Sequence, residues 1–323
     1  MLMKAIVLTK YGLKDVLHLK EVAKPTPKDN EVLIKIHATA VNDYDWSLMR
    51  GKPYLYRLMF GLVSPKKQIP GMELAGTIEA VGENARSFKV GDAVYGDISE
   101  YGFGSFAEYI CINEKALALK PNKMSFEEAA SIPHAAMLAV QGLIDVGKIQ
   151  KEQKILINGA GGGVGTLGLQ IAKLYDAEVT GVDTGDKLKM MESIGFDRVI
   201  DYKKQDFTKN GQSYDLILDT KTNRSTFDYL PSINPSGRYV TVGGELTRLF
   251  QILMLKPLIA LFGKKKIHIL GLKPNKDLDY INELFEAGKL KPVIDGSFNL
   301  SEAPEAICCF GAGKHVGKIV ITL

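Results

Sequence analysis

Residues 154–175 read KILINGAGGGVGTLGLQIAKLY. An apolar run ends at Asn158, a glycine cluster follows, and a helix-like segment begins inside it. Ala160, Gly162 and Gly165 fall at the spacing A-x-G-x-x-G. In that spacing the chain turns tightly near Ala160, the backbone approaches a pyrophosphate at Gly162 with no Cβ in the way, and helix packs closely on strand at Gly165. Val164, Leu167, Ile171 and Leu174 or Tyr175 share one helix face, and the N–H groups of the first turn present partial positive charge to an anion. We read a dinucleotide site contacted by Ala160, Gly162, Gly163, Val164 and Gly165. The other reading of these glycines is a tight strand-to-helix turn in an unrelated α/β fold. A second strand, EVTGVD, ends in Asp183 at about the 20-residue distance that a ribose-binding acid requires, and it favours the nucleotide.

Asp183 also bears on cofactor choice. A carboxylate accepts hydrogen bonds from a ribose but repels a 2′-phosphate, by about 1 kcal/mol at 4 Å in water and about 4 at an effective dielectric of 20. This leans toward NADH over NADPH, unless Lys187 or Lys189 turns inward; a solvated helix face is the plainer expectation for both lysines. Lys187 is kept among the candidate cofactor contacts.

Outward from the loop, the apolar strands KILIN, EVTGVD, RVIDY, DLILD and RYVTVGG alternate with helix-like segments, which predicts right-handed βαβ units and a doubly wound parallel sheet over residues 127–264. Before it, residues 1–126 are strand-like and punctuated by glycines at 71, 76, 82, 91 and 96, and Val32, Ile34 and Ile36 alternate with Leu33, Lys35 and His37. A capping box of Ser125 and Glu128 opens the first helical block. Residues 265–323 are expected to complete the β domain.

The 323 residues suffice for two cores, and 46% hydrophobic with 24% charged residues is ordinary for a soluble globular chain. A formal charge of +4 gives little support to nucleic-acid binding, and the triplet Lys264, Lys265, Lys266 reads as a solvated loop. Cys111, Cys308 and Cys309 show no C-x-x-C spacing, which points away from disulfides and cysteine-rich zinc sites and toward a reducing cytoplasm. The start, MLMKAIVLTKYG, reads as a first strand rather than a signal peptide. The apolar stretch Leu249–Gly263 is broken by Lys256 and Pro257 and is too short to span a bilayer.

PGMELAGTIEAVGENARSFKVGDAVYG, GSFAEY, NGAGGGVGTLGLQIAK, VIDY and the closing GKIVITL together resemble the medium-chain dehydrogenase/reductase superfamily, in its zinc-free quinone oxidoreductase branch. The resemblance covers nearly the whole chain. It implies a Rossmann sheet inserted into a GroES-like β domain, NAD(P)H in the cleft, reduction of quinones or of the C=C bond of α,β-unsaturated carbonyls, and a homodimer. Zinc-dependent relatives carry a cysteine soon after the third strand and a histidine in G-H-E, whereas this chain reads VNDYDWSLMRG and GMELAG, with Met72 in place of the histidine and Glu73 alone remaining. The structural-zinc lobe is missing too, so no metal is expected.

The resemblance places Asn42 and Tyr54 toward the acceptor, Tyr54 being the favoured hydrogen-bond donor and Tyr44 its substitute, with a proton that solvent can supply. It sets Tyr202 near the adenosine, Val242 and Gly243 beside the nicotinamide, Leu272, Lys273 and Asn275 along its far edge, and Lys318 toward the phosphates. An exposed lysine at a strand start is the competing reading of Lys318. Leu138 stands where many relatives have threonine, and Lys221 and Thr222 replace a commoner valine and glycine. His37, His134 and His315 are read as structural or rim residues. The apolar stretch before the lysine triplet is ranked as a subunit interface, then a substrate entrance, then a membrane contact. Two rivals stand beside the reductase: a dinucleotide-binding sensor or scaffold without turnover, and a zinc alcohol dehydrogenase.

Overall fold

The structure, a computed structural model, describes residues 1–323, the side chains of Met59 and Phe262 excepted. The chain packs as two units, Met1–His134 with Pro274–Gly288 and Ile294–Leu323, and Ala135–Lys273 with Lys289–Val293.

The first unit is built on a seven-stranded sheet whose central strand, Glu31–Ala40, pairs antiparallel with Glu73–Val81, Tyr109–Asn113 and Lys318–Thr322. Val32, Ile34 and Ile36 are buried, as the alternation predicts, together with Leu74, Ile78, Val94 and Ile112. Leu33 is buried too, which the period-two pattern does not give. The opposite face of this strand is not left to water: the helix Phe126–Ser131 packs over the sheet, with the Phe126 ring 4.3 Å from that of His37. The same packing moves the first junction between units to His134, beyond residue 126. Register fixes the site that follows. Val320 lies opposite Ala40 in antiparallel pairing, so Lys318, two residues earlier, falls beside the residues just after Ala40.

The second unit holds six parallel strands in the order Arg198–Asp201, Glu178–Asp183, Lys154–Asn158, Tyr214–Asp219, Ile233–Thr241, Lys266–Ile269. Counted along the unit this is 3-2-1-4-5-6, the order of dinucleotide-binding sheets, which opens a ligand crevice where strand order reverses beside Lys154–Asn158. The sixth strand lies beyond the expected limit at 264, because Ile267 pairs with Tyr239 and carries the sheet one strand further. The helix Gly163–Lys173 buries Leu167, Leu169, Ile171 and Ala172, a wider face than one stripe, while Val164, Leu174 and Tyr175 stay half-buried. Among the described residues no helix is long and apolar enough to cross a membrane.

Candidate functional site

In the second unit the strand Lys154–Asn158 ends where the sequence places its end, and the loop is held by bonds to its neighbour: the N–H groups of Gly159 and Ala160 both donate to the Val182 carbonyl, at 2.9 and 3.0 Å. The turn itself is made at Gly159, whose φ of +84° strains any residue with a Cβ, rather than at Ala160. Gly162 caps the helix, and the Thr166 N–H donates to its carbonyl at 2.9 Å. A Cβ on Gly165 would come within 2.4 Å of the Ala160 carbonyl oxygen, so helix and strand touch there as the spacing predicts. Gly161, a position the sequence reading passed over, would drive a Cβ to 2.6 Å from the Lys187 side chain.

That contact exposes a correction. Lys187 is buried, not on a solvated helix face, and its ammonium lies 3.5 Å from Asp183. Asp183 in turn accepts from the Gly161 N–H at 2.9 Å and the Thr184 N–H at 2.8 Å. The pair is intrinsically close to neutral, which removes most of the Coulombic objection to a 2′-phosphate. Tyr202 stands just beyond the third strand, its N–H on the Asp183 carbonyl and its ring 43% exposed, open to a stacking partner.

A second bracing point lies across the crevice. Asp219, fully buried, accepts from Asn158 Nδ2 at 2.9 Å, the Tyr239 hydroxyl at 2.7 Å and the N–H groups of Lys221 and Thr222 at 2.9 Å each. Its carbonyl takes the Val242 N–H, and Thr222 and Thr241 donate to the Gly243 carbonyl. Lys221 and Thr222, departures from the family pattern, are thus part of the bracing. Lys273 is clamped at its backbone by the Gln141 amide, at 3.0 and 2.8 Å, and Leu272 beside it is half-buried. Leu138 is buried in the helix Pro133–Val140.

The first unit gathers a different set. Glu73, with no exposure, accepts from Asn42 Nδ2 at 2.5 Å, Lys318 Nζ at 2.6 Å and, through its other oxygen, the backbone N–H of His134 at 2.6 Å. Lys318 Nζ also donates to Asn42 Oδ1 at 2.6 Å, closing a ring of three side chains. Lys318 is therefore neither an exposed strand-start lysine nor free to extend to a phosphate. Asn42 is corrected likewise: its remaining amide donor goes to the Ala40 carbonyl, so none is left to offer an acceptor. Asn275 is the third correction, for its amide is consumed by the Asp97 backbone and the Ala116 carbonyl.

Asp45 caps the same region from below, accepting from the Asn42 N–H at 2.8 Å and the Gly71 N–H at 2.9 Å. Burial pushes its carboxyl up to about 7, against the pull of those two N–H groups and of Lys318.

His134, read from sequence as a structural or rim residue, has a specific partner. Its Nδ1 lies 2.8 Å from Asp97 Oδ2, and Asp97 is fully buried and also accepts from the Ser99 N–H at 2.9 Å. Because an ionised carboxylate only accepts, Nδ1 carries the proton, while Nε2 has no hydrogen-bond partner among the described residues. Burial lowers the imidazole's pKa, but the hydrogen bond and charge of Asp97 outweigh it and the net shift is upward; burial raises Asp97 and the imidazole more than offsets this. Edge-on to this ring, at 6.3 Å, sits Tyr44, which also packs against Tyr56, Phe60 and Phe103. Burial, then the charges of Asp97 and Asp43, hold the Tyr44 phenol above its ordinary pKa, so it is a neutral donor. Tyr54 is elsewhere: it is 67% exposed, flanked by Arg57 and Lys52 at 5.1 and 5.8 Å from its ring. Of the two tyrosines it is Tyr44 that joins the polar cluster. The only signal for His134 and Asp97 was their chemistry, since 37 residues separate them.

Among the described residues no three His, Cys, Asp or Glu side chains converge as metal ligands. Residues 28–122 match the alcohol dehydrogenase GroES-like domain and residues 194–321 the zinc-binding dehydrogenase family. The tomato (Solanum lycopersicum) 2-methylene-furan-3-one reductase is 34% identical over 99% of this chain and 79% of its own length. The chloroplast envelope quinone oxidoreductase homolog of Arabidopsis thaliana is 30% identical over 93% of this chain and 92% of its own. The quinone oxidoreductase of Coxiella burnetii superposes with a TM-score of 0.87 at 26% identity, over 100% of both chains. An inserted six-stranded dinucleotide sheet and a GroES-like β unit define a nicotinamide-dependent oxidoreductase. Within that class the chain belongs to the medium-chain dehydrogenase/reductase superfamily, in its quinone oxidoreductase-like branch.

Proposed function

We propose that this protein is a zinc-independent NAD(P)H-dependent reductase that transfers hydride to a quinone or to the C=C bond of an α,β-unsaturated carbonyl. The observation that carries the reading is how the polar groups of the β unit are engaged. Every carboxylate oxygen of Glu73 is taken by Asn42, Lys318 or the His134 N–H, and Asp97 is bonded to His134. A divalent cation there would face the Lys318 ammonium, so the donor set does not suit zinc. What remains is a neutral phenol, Tyr44, and the ring edge of His134, set among aromatic rings that suit a planar conjugated acceptor.

The dinucleotide supplies the hydride when bound, and the loop Gly159–Gly165 with the N-terminus of Gly163–Lys173 fits its pyrophosphate. In this reading Tyr44 donates a hydrogen bond to the acceptor oxygen as it gains negative charge, replacing Tyr54 in that role. The Asp183–Lys187 pair supports use of NADPH alongside NADH, in place of the lean to NADH that Asp183 alone suggests. We also infer a homodimer, supported by the open edge of the strand Lys266–Ile269, and a reducing compartment such as the cytoplasm, supported by three free cysteines.

The test is loss of nicotinamide absorbance on mixing the purified protein with NADH or NADPH and a panel of quinones and enals, with metal analysis of the same sample. Turnover without stoichiometric zinc is expected. Tight nucleotide binding with no turnover across the panel would make the chain a nucleotide-binding module instead, and stoichiometric zinc would return it to the alcohol dehydrogenases.

A further inference from the structure

The helix Leu246–Phe262 presents its apolar residues in two directions. On one side Ile252 and Ile259 join the core of the Rossmann unit. On the other, Phe250, Leu253, Met254, Leu258 and Leu261 are each more than half exposed. At about 100° per residue these five fall within one arc, since they recur at three- and four-residue steps. A surface helix ordinarily turns such an arc inward; this one has a second arc facing water, and contiguous apolar surface of this kind marks a binding face.

Along the helix and the loop after it the charge has one sign, the nearest carboxylate in sequence being Glu245 at the opposite, N-cap end. Between residues 246 and 266 the chain carries Arg248, Lys256, Lys264, Lys265 and Lys266 and no carboxylate. At the C-terminal end of the arc, Ala260, Gly263 and the three consecutive lysines, with Ser236, line a pocket of about 350 Å³. Lys265 is tied at 2.6 Å to the Leu230 carbonyl, which fixes that wall, while Lys264 and Lys266 are exposed. Burial, and then the charges of Lys256, Arg238 and Lys266, lower the pKa of His268 on the adjoining strand, as an uncompensated positive field would. An exposed apolar arc that runs into a basic pocket roomy enough for a lipid headgroup matches acyl chains beside an anionic headgroup.

We propose that the helix Leu246–Phe262 lies flat in the surface of an anionic phospholipid membrane, with its apolar arc among the acyl chains and a lipid phosphate in the pocket of Lys264, Lys265 and Lys266. The helix is too short to cross a bilayer, so the attachment is peripheral and reversible. It goes beyond the reductase reading and does not depend on it.

The experiment is flotation of the full chain with vesicles of phosphatidylcholine alone or of phosphatidylcholine mixed with phosphatidylglycerol, at low and high salt. The chain is expected to float with the anionic vesicles and to be released by salt. Lys264→Glu with Lys266→Glu is expected to weaken binding about 25-fold or more, at about fivefold per lysine near an anionic surface. Leu253→Gln with Leu258→Gln is expected to abolish it. Unchanged thermal transitions and unchanged NADPH binding by calorimetry certify that both variants are folded. No flotation with any vesicle overturns the proposal, as does equal flotation with neutral and anionic vesicles. If the Leu253→Gln, Leu258→Gln variant instead turns a dimer into a monomer in sedimentation velocity and the parent ignores vesicles, the arc belongs to a second copy of the chain.

Discussion

The nucleotide loop and the polar cluster of the β unit are both built from buried polar groups, yet they are assembled in opposite ways. The loop draws its turn, its cap, its close-packed glycine and its acidic partner from residues 158–187, one strand–helix–strand passage. The cluster joins Asn42, Glu73, Asp97, His134 and Lys318, and its Asn42–Lys318 bond spans 276 residues of sequence. A local device encodes itself in spacing. A dispersed one depends on strand register and on the pairing of buried charges, and its energetics are correspondingly brittle.

The most severe way to break the contrast is to unpair the buried ion pair. Glu73→Ala leaves the Lys318 ammonium without its carboxylate and is expected to cost about 3–5 kcal/mol, read as a fall in the denaturation midpoint. Combining it with Lys318→Met is expected to recover most of that loss, because no buried charge then remains. A double variant no more stable than the single one would show that the pair is not the unit of stability.

Asp45 sharpens the contrast through pH. Its folded-state pKa of about 7 lies above the ordinary 3.8, so the folded protein holds that proton more tightly than the unfolded chain does. The contribution is fully present below about pH 4 and is lost as pH rises to about 7, an effect on the order of 2–4 kcal/mol. His134, also raised, contributes stability below its ordinary 6.5 that is lost as pH rises through its folded value, and depressed Asp97 loses its contribution only as pH falls below 3.8. Chemical denaturation as a function of pH is expected to place maximal stability on the mildly acidic side, and Asp45→Asn is expected to flatten the decline toward neutrality.

In the loop, Gly165→Val forces side-chain atoms against the Ala160 backbone and is expected to cost about 1–3 kcal/mol while abolishing nucleotide binding by calorimetry, with the β unit's pH profile unchanged. Tyr44→Phe keeps the aromatic packing and removes the donor; kcat is expected to fall about ten- to a hundredfold with little change in nucleotide affinity, whereas Tyr54→Phe is expected to leave kcat unaltered. Lys187→Met leaves buried Asp183 with only its two backbone N–H donors and is expected to destabilise the fold as well, but its effect on nucleotide choice is the smallest of the functional changes. NADPH affinity should drop about five- to tenfold relative to NADH, and equal losses for both would show that Lys187 only supports the fold.

The sequence by itself determined the Rossmann unit, its glycine loop and the acidic residue after its second strand. These follow from local rules: hydrophobic period, φ > 0 at glycine, and a fixed strand–helix–strand length. It also placed Tyr44 among the candidates. Only the tertiary structure decided that Lys187 neutralises Asp183, that Lys318, Asn42 and Asn275 are consumed by internal bonds, and that His134 finds Asp97. The reason is physical: the partner of a buried charge is chosen by the cost of leaving it unpaired, and the candidates for that partner are set by strand register across the whole chain, which no window of sequence contains.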